Sequence, residues 1–429
     1  MSNDARRDFL RSLRKETPQA LTGGRRDDHA EVAAMLRELG IALIECEQPT
    51  HLVEARLLAI ARNYTDETVR VVVFPTALVV QVGTAAYEVE TVVKPTTQLD
   101  LAGRVDAVAE LAEVGAITAA DAAREVAAAR AMPPRFGPVT TVVGYTITTL
   151  GFGMVINPTW ASLWGYVFLG AVVGAIVMLG RPFPTLGAVL PTLAAAVVTL
   201  LATWFVADAA NDGLLRVISP PLVAMLPGLA LTIGAMELAS SQMVSGATRL
   251  IYGVTQLMLL VFGVGLGIHL GGADLEPQQP SAQMGSWSLY AAIVVIAIGL
   301  YVYLSAPKGS FVWLLLAVAV ALVGQKLGGL VLSATHSGAV GAFLVVPFAM
   351  LGARIKTSPP AIVMMLAAFW ALVPGALSFE TLGEAVAGEG DVMTLGSTVA
   401  AIFSIALGTL VGWSVFATIN TRLRAARKA

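Results

Sequence analysis

Few residues of this chain could do chemistry, and most of them lie in apolar surroundings. Two Pro-Gly pairs, Pro227-Gly228 and Pro374-Gly375, interrupt stretches long enough to cross a bilayer. Proline removes a backbone donor and clashes with the preceding turn, and glycine tolerates the unwound geometry that results. A break at membrane depth frees amides and carbonyls that must find partners. Half-helix N-termini suit a carboxylate, and freed carbonyls suit an ammonium or a cation. A site with both kinds of end fits a small zwitterion, with Thr232 and Ser378 close by as neutral hydrogen-bonding groups. Thr192 and Gln256 are further candidates of that kind, although hydroxyls in membrane helices commonly bond their own backbone or a neighbouring helix.

Ionisable residues at membrane depth are costly and so draw attention. Glu237 sits near the inner end of the fourth apolar stretch and Arg249 opens the fifth. They form either a structural ion pair or, if Glu237 faces a cavity, a proton-accepting site. Lys326 stands in the seventh stretch beside Gln325, and His336 stands at the outer start of the eighth. A histidine can titrate in the physiological range, so Glu237, Lys326 and His336 are the candidates for coupling to protons. His269, at the end of the fifth stretch, reads as a solvated residue, and Asp208, Asp212 and Arg216 as either an ion pair or a vestibule.

Outside the apolar region, His51 and Glu54 share a helix face near Cys46. Two such ligands are too few for a metal site. No P-loop, H-E-x-x-H or G-x-S-x-G occurs, so neither a cofactor nor a metal is expected, and catalysis by His51 and Glu54 is a minor alternative to a regulatory role.

These residues need elements to hold them, and composition says which. The chain has 429 residues, 56% hydrophobic and 13% charged, with mean hydropathy +0.75. Residues 1–135 hold 36 of the 56 charged residues. The rest has too little polar surface for a water-soluble fold. A net charge of −2 shows no basic excess of the kind a nucleic-acid-binding face needs, so nothing argues for nucleic acid.

From Pro138 onward ten stretches are long enough to cross: 138–157, 160–180, 185–207, 217–238, 248–270, 287–305, 310–332, 337–353, 360–380 and 394–419. With both termini inside, Arg135, Arg181, Arg249, Lys308, Arg354, Lys356 and the tail Arg422, Arg424, Arg427 and Lys428 all fall inward, and Arg216 alone falls outward. The positive-inside rule favours that arrangement. Trp160, Trp164, Trp287, Trp313 and Trp413 read as interfacial anchors.

Pro227-Gly228 lies in the fourth stretch and Pro374-Gly375 in the ninth, the fourth of the second five. Ser219-Pro220-Pro221 and Ser358-Pro359-Pro360 precede them at unequal spacing. Similar halves with an odd number of helices insert in opposite orientation, the inverted-repeat plan of many secondary transporters. The expected fold is therefore a polytopic α-helical membrane protein with ten transmembrane helices as an inverted 5+5 repeat, plus a small α+β N-terminal cytoplasmic domain. Its parts are a basic flexible segment (1–30), the soluble domain (31–135), the first repeat (136–270), an outer linker (271–286), the second repeat (287–420) and a basic tail (421–429). In the soluble domain, residues 31–63 show helical spacing divided near Pro49. Val69–Phe74, Ala77–Val82 and Tyr87–Val93 read as strands, and Thr118 reads as a helix N-cap. The basic N-terminus lacks a following apolar run, so the domain is expected to stay cytoplasmic.

Two segments resemble a known family. Gln48-Pro49-Thr50-His51-Leu52-Val53-Glu54 is similar to the small-Pro-x-His/Arg-x-Val-Glu segment of the threonine/serine exporters. The run Leu226-Pro227-Gly228-Leu229-Ala230-Leu231-Thr232, continuing through Glu237 to Val244-Ser245-Gly246-Ala247-Thr248-Arg249-Leu250, resembles that family's signature around its fourth helix. Val373-Pro374-Gly375 resembles the counterpart in the second half. The resemblance spans about residues 31 to 420. It implies export of small neutral amino acids such as threonine and serine by proton antiport across the inner (plasma) membrane. Members have ten helices in two related halves and a cytoplasmic domain likened to hydrolases. A two-subunit branch of the superfamily is associated with succinate export, so a dicarboxylate exporter is one alternative and a membrane-tethered hydrolase another. The implied partners are a small amino acid, protons and lipid, with no nucleic acid; a homo-oligomer is left open.

Overall fold

The computed structural model describes residues 28–90, 98–180, 189–206, 213–272, 282–372 and 392–428, together with 12, 14–16, 18–21, 182–183 and 186–187. Pro374, Gly375 and Ser378, like Arg181, Asp208 and Asp212, lie outside the described residues.

The soluble domain follows its hydrophobic spacing. Helices α1 (His29–Glu45) and α2 (Thr50–Ala61) are separated at Pro49, and strands β1 (Val69–Val73), β2 (Ala77–Val82) and β3 (Ala85–Glu90) follow. The strands form an antiparallel sheet in the order β1-β2-β3. Along β2 the inward residues Leu78, Val80 and Val82 are buried, as period-two alternation requires. A side chain at Gly40 would strike Leu78 and Leu57, so this glycine lets α1 lie close against the sheet and α2. Helices α3 (Leu99–Glu113) and α4 (Ala119–Arg130) complete the domain. The Thr118 hydroxyl accepts the Asp121 N–H at 3.1 Å and caps α4. Arg56 ties α2 to α3 through Asp106 and Glu113, and Arg130 ties α4 to α1 through Glu38 and Glu45. Part of the N-terminal segment lies along the protein: Lys15 N–H bonds Arg354 C=O at 2.9 Å and Leu21 N–H bonds Gly115 C=O at 3.0 Å.

The apolar region is helical: α5 (Pro138–Ile156), α6 (Leu163–Gly180), α7 (Leu190–Phe205), α8 (Leu214–Leu222), α9 (Gly228–Ala239), α10 (Met243–Gly271), α11 (Ser288–Tyr303), α12 (Phe311–Val331), α13 (Gly338–Gly352), α14 (Ala361–Leu372) and α15 (Val392–Lys428). Among the described residues six segments are long and apolar enough to cross a membrane. Counting α8 and α9, bent by 64°, as one broken span makes seven. Helices α7, α11 and α14 are apolar but shorter. These segments overlap, in order, the ten stretches read from the sequence.

Glycines set the closest approaches. An added Cβ would come within 2.7 Å of Tyr303 N at Gly144, 2.6 Å of Ile296 Cγ1 at Gly151 and 2.5 Å of Thr148 N at Gly299. Residue numbers rise along α5 as they fall along α11, so this pair is antiparallel. Gly263 and Gly267 of α10 press on Thr192 and Thr199 of α7, and Gly408 and Gly412 of α15 press on Ala339 and Phe343 of α13. Both of those pairs run parallel. Small residues let membrane helices approach closely where burial alone gives little drive.

Candidate functional site

The chain breaks where Pro227 predicts it. Helix α8 ends in a 3₁₀ turn (Val223–Met225), Leu226 is extended, and α9 restarts at Gly228. The first bond within α9 runs from Leu231 N–H to Pro227 C=O at 2.9 Å, which leaves the Gly228, Leu229 and Ala230 amides ahead of the helix's own ladder. Residues 224–227 are half-buried, so the bend is enclosed but not sealed. Before the break, the Pro221 carbonyl accepts the Tyr145 hydroxyl of α5 at 2.7 Å. Tyr145 meets Tyr303 edge-on, and Tyr303 meets Trp370 of α14. Side chains of α5, α11 and α14 thus form a chain of contacts that ends beside the bend.

Several buried polar atoms here have no hydrogen-bond partner among the described residues: Thr232 Oγ1, Ser219 Oγ and Trp370 Nε1. Buried polar groups are nearly always satisfied, so these are groups for a ligand or water to meet. The two Ser-Pro-Pro triplets occupy different places: Pro220 and Pro221 lie inside α8, whereas Ser358-Pro359-Pro360 stands just before α14.

Glu237, near the end of α9, is fully buried at 0% exposure. One carboxylate oxygen accepts the Thr50 backbone N–H at 2.8 Å, and the other lies 3.3 Å from Arg249 Nε in an ion pair. Thr50 is the first residue of α2. Glu237 therefore faces a helix N-terminus of the soluble domain, a favourable place for negative charge. Arg249, 8% exposed, also bonds Glu47 at 3.1 Å. Glu47 sits in the turn after α1 at φ 58°. Burial pushes the Glu47 carboxyl pKa up, opposed by Arg249. The pairing of Glu237 with Arg249 was legible as one alternative. Their tie to Glu47 and Thr50, across about two hundred residues, had no signal in spacing. The two family-like segments, 48–54 and 226–250, meet at this point.

The other candidates lie apart. Lys326 is exposed, with its ammonium 5.4 Å from the Tyr290 ring centroid. His336 is exposed in a 3₁₀ turn (Ala334–His336), with Nδ1 2.6 Å from Ser404 Oγ of α15. His269 is exposed and Gln256 half-buried. Among the described residues no group of three or more potential metal ligands assembles.

Apolar helices packed around a broken span, with a small α+β domain seated at one end, are the architecture of a multi-pass membrane protein. The chain belongs to the ThrE family, described as "Putative threonine/serine exporter", whose model matches residues 34–271, more than half of the chain. The match runs from the soluble domain through α10 and includes both segments that meet at Glu237. No curated protein and no solved structure matches significantly.

Proposed function

We propose that this protein exports small neutral amino acids of the threonine and serine type in exchange for protons. In this reading it uses ten crossings in an inverted 5+5 arrangement, with both termini cytoplasmic. The observation that carries the reading is the half-enclosed bend at Leu226-Pro227, with its leading amides and the unpartnered Thr232 hydroxyl nearby. Amides at a half-helix N-terminus attract a carboxylate, and hydroxyls such as Thr232 and Ser219 suit a hydroxylated side chain.

The packing supports two related halves. Helix α5 packs on α6, α6 on α7 and α7 on α10. In the same order α11 packs on α12, α12 on α13 and α13 on α15. Helix α8 rests on α6 and α7 as α14 rests on α12 and α13. The antiparallel α5–α11 pair suits an axis relating the halves. In this reading Pro374, Gly375 and Ser378 supply the second half's share of the site, and Glu237 is the first coupling candidate, ahead of Lys326 and His336.

The test is threonine efflux from proteoliposomes of the full-length protein, with and without a pH gradient. The reading expects the gradient to stimulate efflux, and serine but not succinate to compete. Displacement by succinate points to the dicarboxylate alternative, and absent flux ends the transport reading. Replacing Pro227-Gly228 by Ala-Ala is expected to slow efflux about tenfold or more, which corresponds to ~1.4 kcal/mol in the barrier.

A further inference from the structure

Five buried polar atoms without a hydrogen-bond partner cluster where the soluble domain meets the membrane helices: Thr50 Oγ1, His51 Nδ1, Glu237 Oε2, and Arg249 Nε and Nη2. His51 follows the residue whose amide holds Glu237, and the Glu237 carboxylate acts on its ring electrostatically. His51 is half-buried, unlike Glu237, so it stands between a sealed carboxylate and cytoplasmic water. The Glu237 oxygen held only by its ion pair with Arg249 and the buried, unpartnered His51 Nδ1 are the two ends that a proton transfer through one water needs.

We propose that His51 of the soluble domain is the group through which Glu237 passes its proton to the cytoplasm. The inference rests on Glu237 being the coupling carboxylate. Glu237 arrives as the neutral acid after protonation from the outer side. His51 Nδ1 takes that proton, leaving a carboxylate that pairs with Arg249, and the imidazolium releases its Nε2 proton to water. Exchange with water, which removes the Nδ1 proton and returns one to Nε2, restores the accepting tautomer. Burial lowers the His51 pKa while Glu237 opposes that shift, so the ring rests neutral and carries the proton only in passing. Glu237 is the charge that acts on the ring; Arg249 pairs with Glu237 and Glu47, and Tyr252 feels Glu47 in turn. The transfer gives the 48–54 segment a part in transport that needs no hydrolytic activity.

The experiment compares wild type, His51→Gln and Glu237→Gln, all full-length and reconstituted in vesicles. It reads threonine:threonine exchange at equal pH, pH-gradient-driven efflux, and the effect of added imidazole on the cytoplasmic side. For His51→Gln the expected result is exchange within about twofold of wild type, driven efflux slowed about tenfold or more, and partial recovery with imidazole. For Glu237→Gln driven efflux is lost and imidazole restores nothing. His51→Asn, which keeps a polar atom near the Nδ1 position, guards against a folding defect and is expected to behave as His51→Gln does. Normal driven efflux in His51→Gln with loss in Glu237→Gln overturns the role of His51 and leaves Glu237 standing. Normal driven efflux in both overturns the coupling carboxylate as well. Loss of exchange and driven efflux together, unrescued by imidazole in either His51 variant, makes His51 structural and overturns the proposal.

Discussion

The soluble domain rests on the membrane helices through two helix N-termini, and the two contacts differ in kind. At the start of α3, Leu99 N–H bonds Leu304 C=O at 2.8 Å and Asp100 N–H bonds Ser305 C=O at 3.1 Å, just beyond the end of α11. Gly103 packs within 3.4 Å of Pro307 and Val363 in the sense of an added Cβ, and Leu99 and Leu101 are buried. That contact is carried by backbone bonds and apolar packing. At the start of α2, the contact is a buried carboxylate, a nearly buried guanidinium and a second carboxylate, with several polar atoms unmatched. Backbone and apolar contacts respond weakly to pH and salt, whereas a charged cluster responds to both. The α3 contact has the character of a fixed joint and the α2 contact that of a changeable one.

The comparison can be broken most forcefully at Arg249. Arg249→Met strands Glu237 and Glu47 without their cation, and removing one partner of a buried pair costs about 3–5 kcal/mol. A clear fall in the thermal midpoint of the purified full-length protein, with faster proteolysis near residues 46–50, is expected. A midpoint unchanged from wild type would mean that the pair holds nothing together. Thr50→Pro comes next. Proline is tolerated in the first turn of a helix but removes the N–H that Glu237 accepts, and a bond to a charged group is worth about 1.5–3 kcal/mol. Gly103→Leu strains the other contact by overpacking Pro307 and Val363, at about 1–3 kcal/mol. Its effect should be the same at low and high salt, whereas that of Thr50→Pro should vary.

The smallest effect is on pH dependence. Burial lowers the His51 pKa from its usual 6.5, so the docked form favours the neutral ring. Its contribution is full above 6.5 and is lost as pH falls through the folded value. Glu47 acts oppositely on the acid side: its raised pKa makes its contribution decline as pH rises from about 4.5. Between pH 5 and 8 His51 therefore lowers the thermal midpoint toward the acid end, against Glu47, and His51→Gln is expected to raise the midpoint at pH 5 relative to that at pH 8 when compared with wild type.

Much of this architecture was legible because its signals are local. The strands at 69–73 and 77–82, the break at Pro49, the Thr118 cap and the bend at Pro227 each follow from a few adjacent residues. The apolar stretches were long enough to locate their helices. Which face of each helix meets its neighbours was not legible, because helices apolar all round carry little directional pattern. Lys326 is an example: its position in the chain placed it at membrane depth but gave no sign of which side of its helix carries it, and it lies on the protein's surface over Tyr290. The Glu47–Arg249–Glu237 cluster was hidden for another reason. It joins a turn in one domain to two helices of the other, and no periodicity spans that distance.

The α5–α11 pair has a mechanical consequence. With Gly144 seated on Tyr303, Gly151 on Ile296 and Gly299 on Thr148, neither rod can slide along the other without lifting a bare backbone over a side chain. The two rods are therefore keyed together lengthwise, and in the transport reading they serve as the spindle against which other helices rearrange.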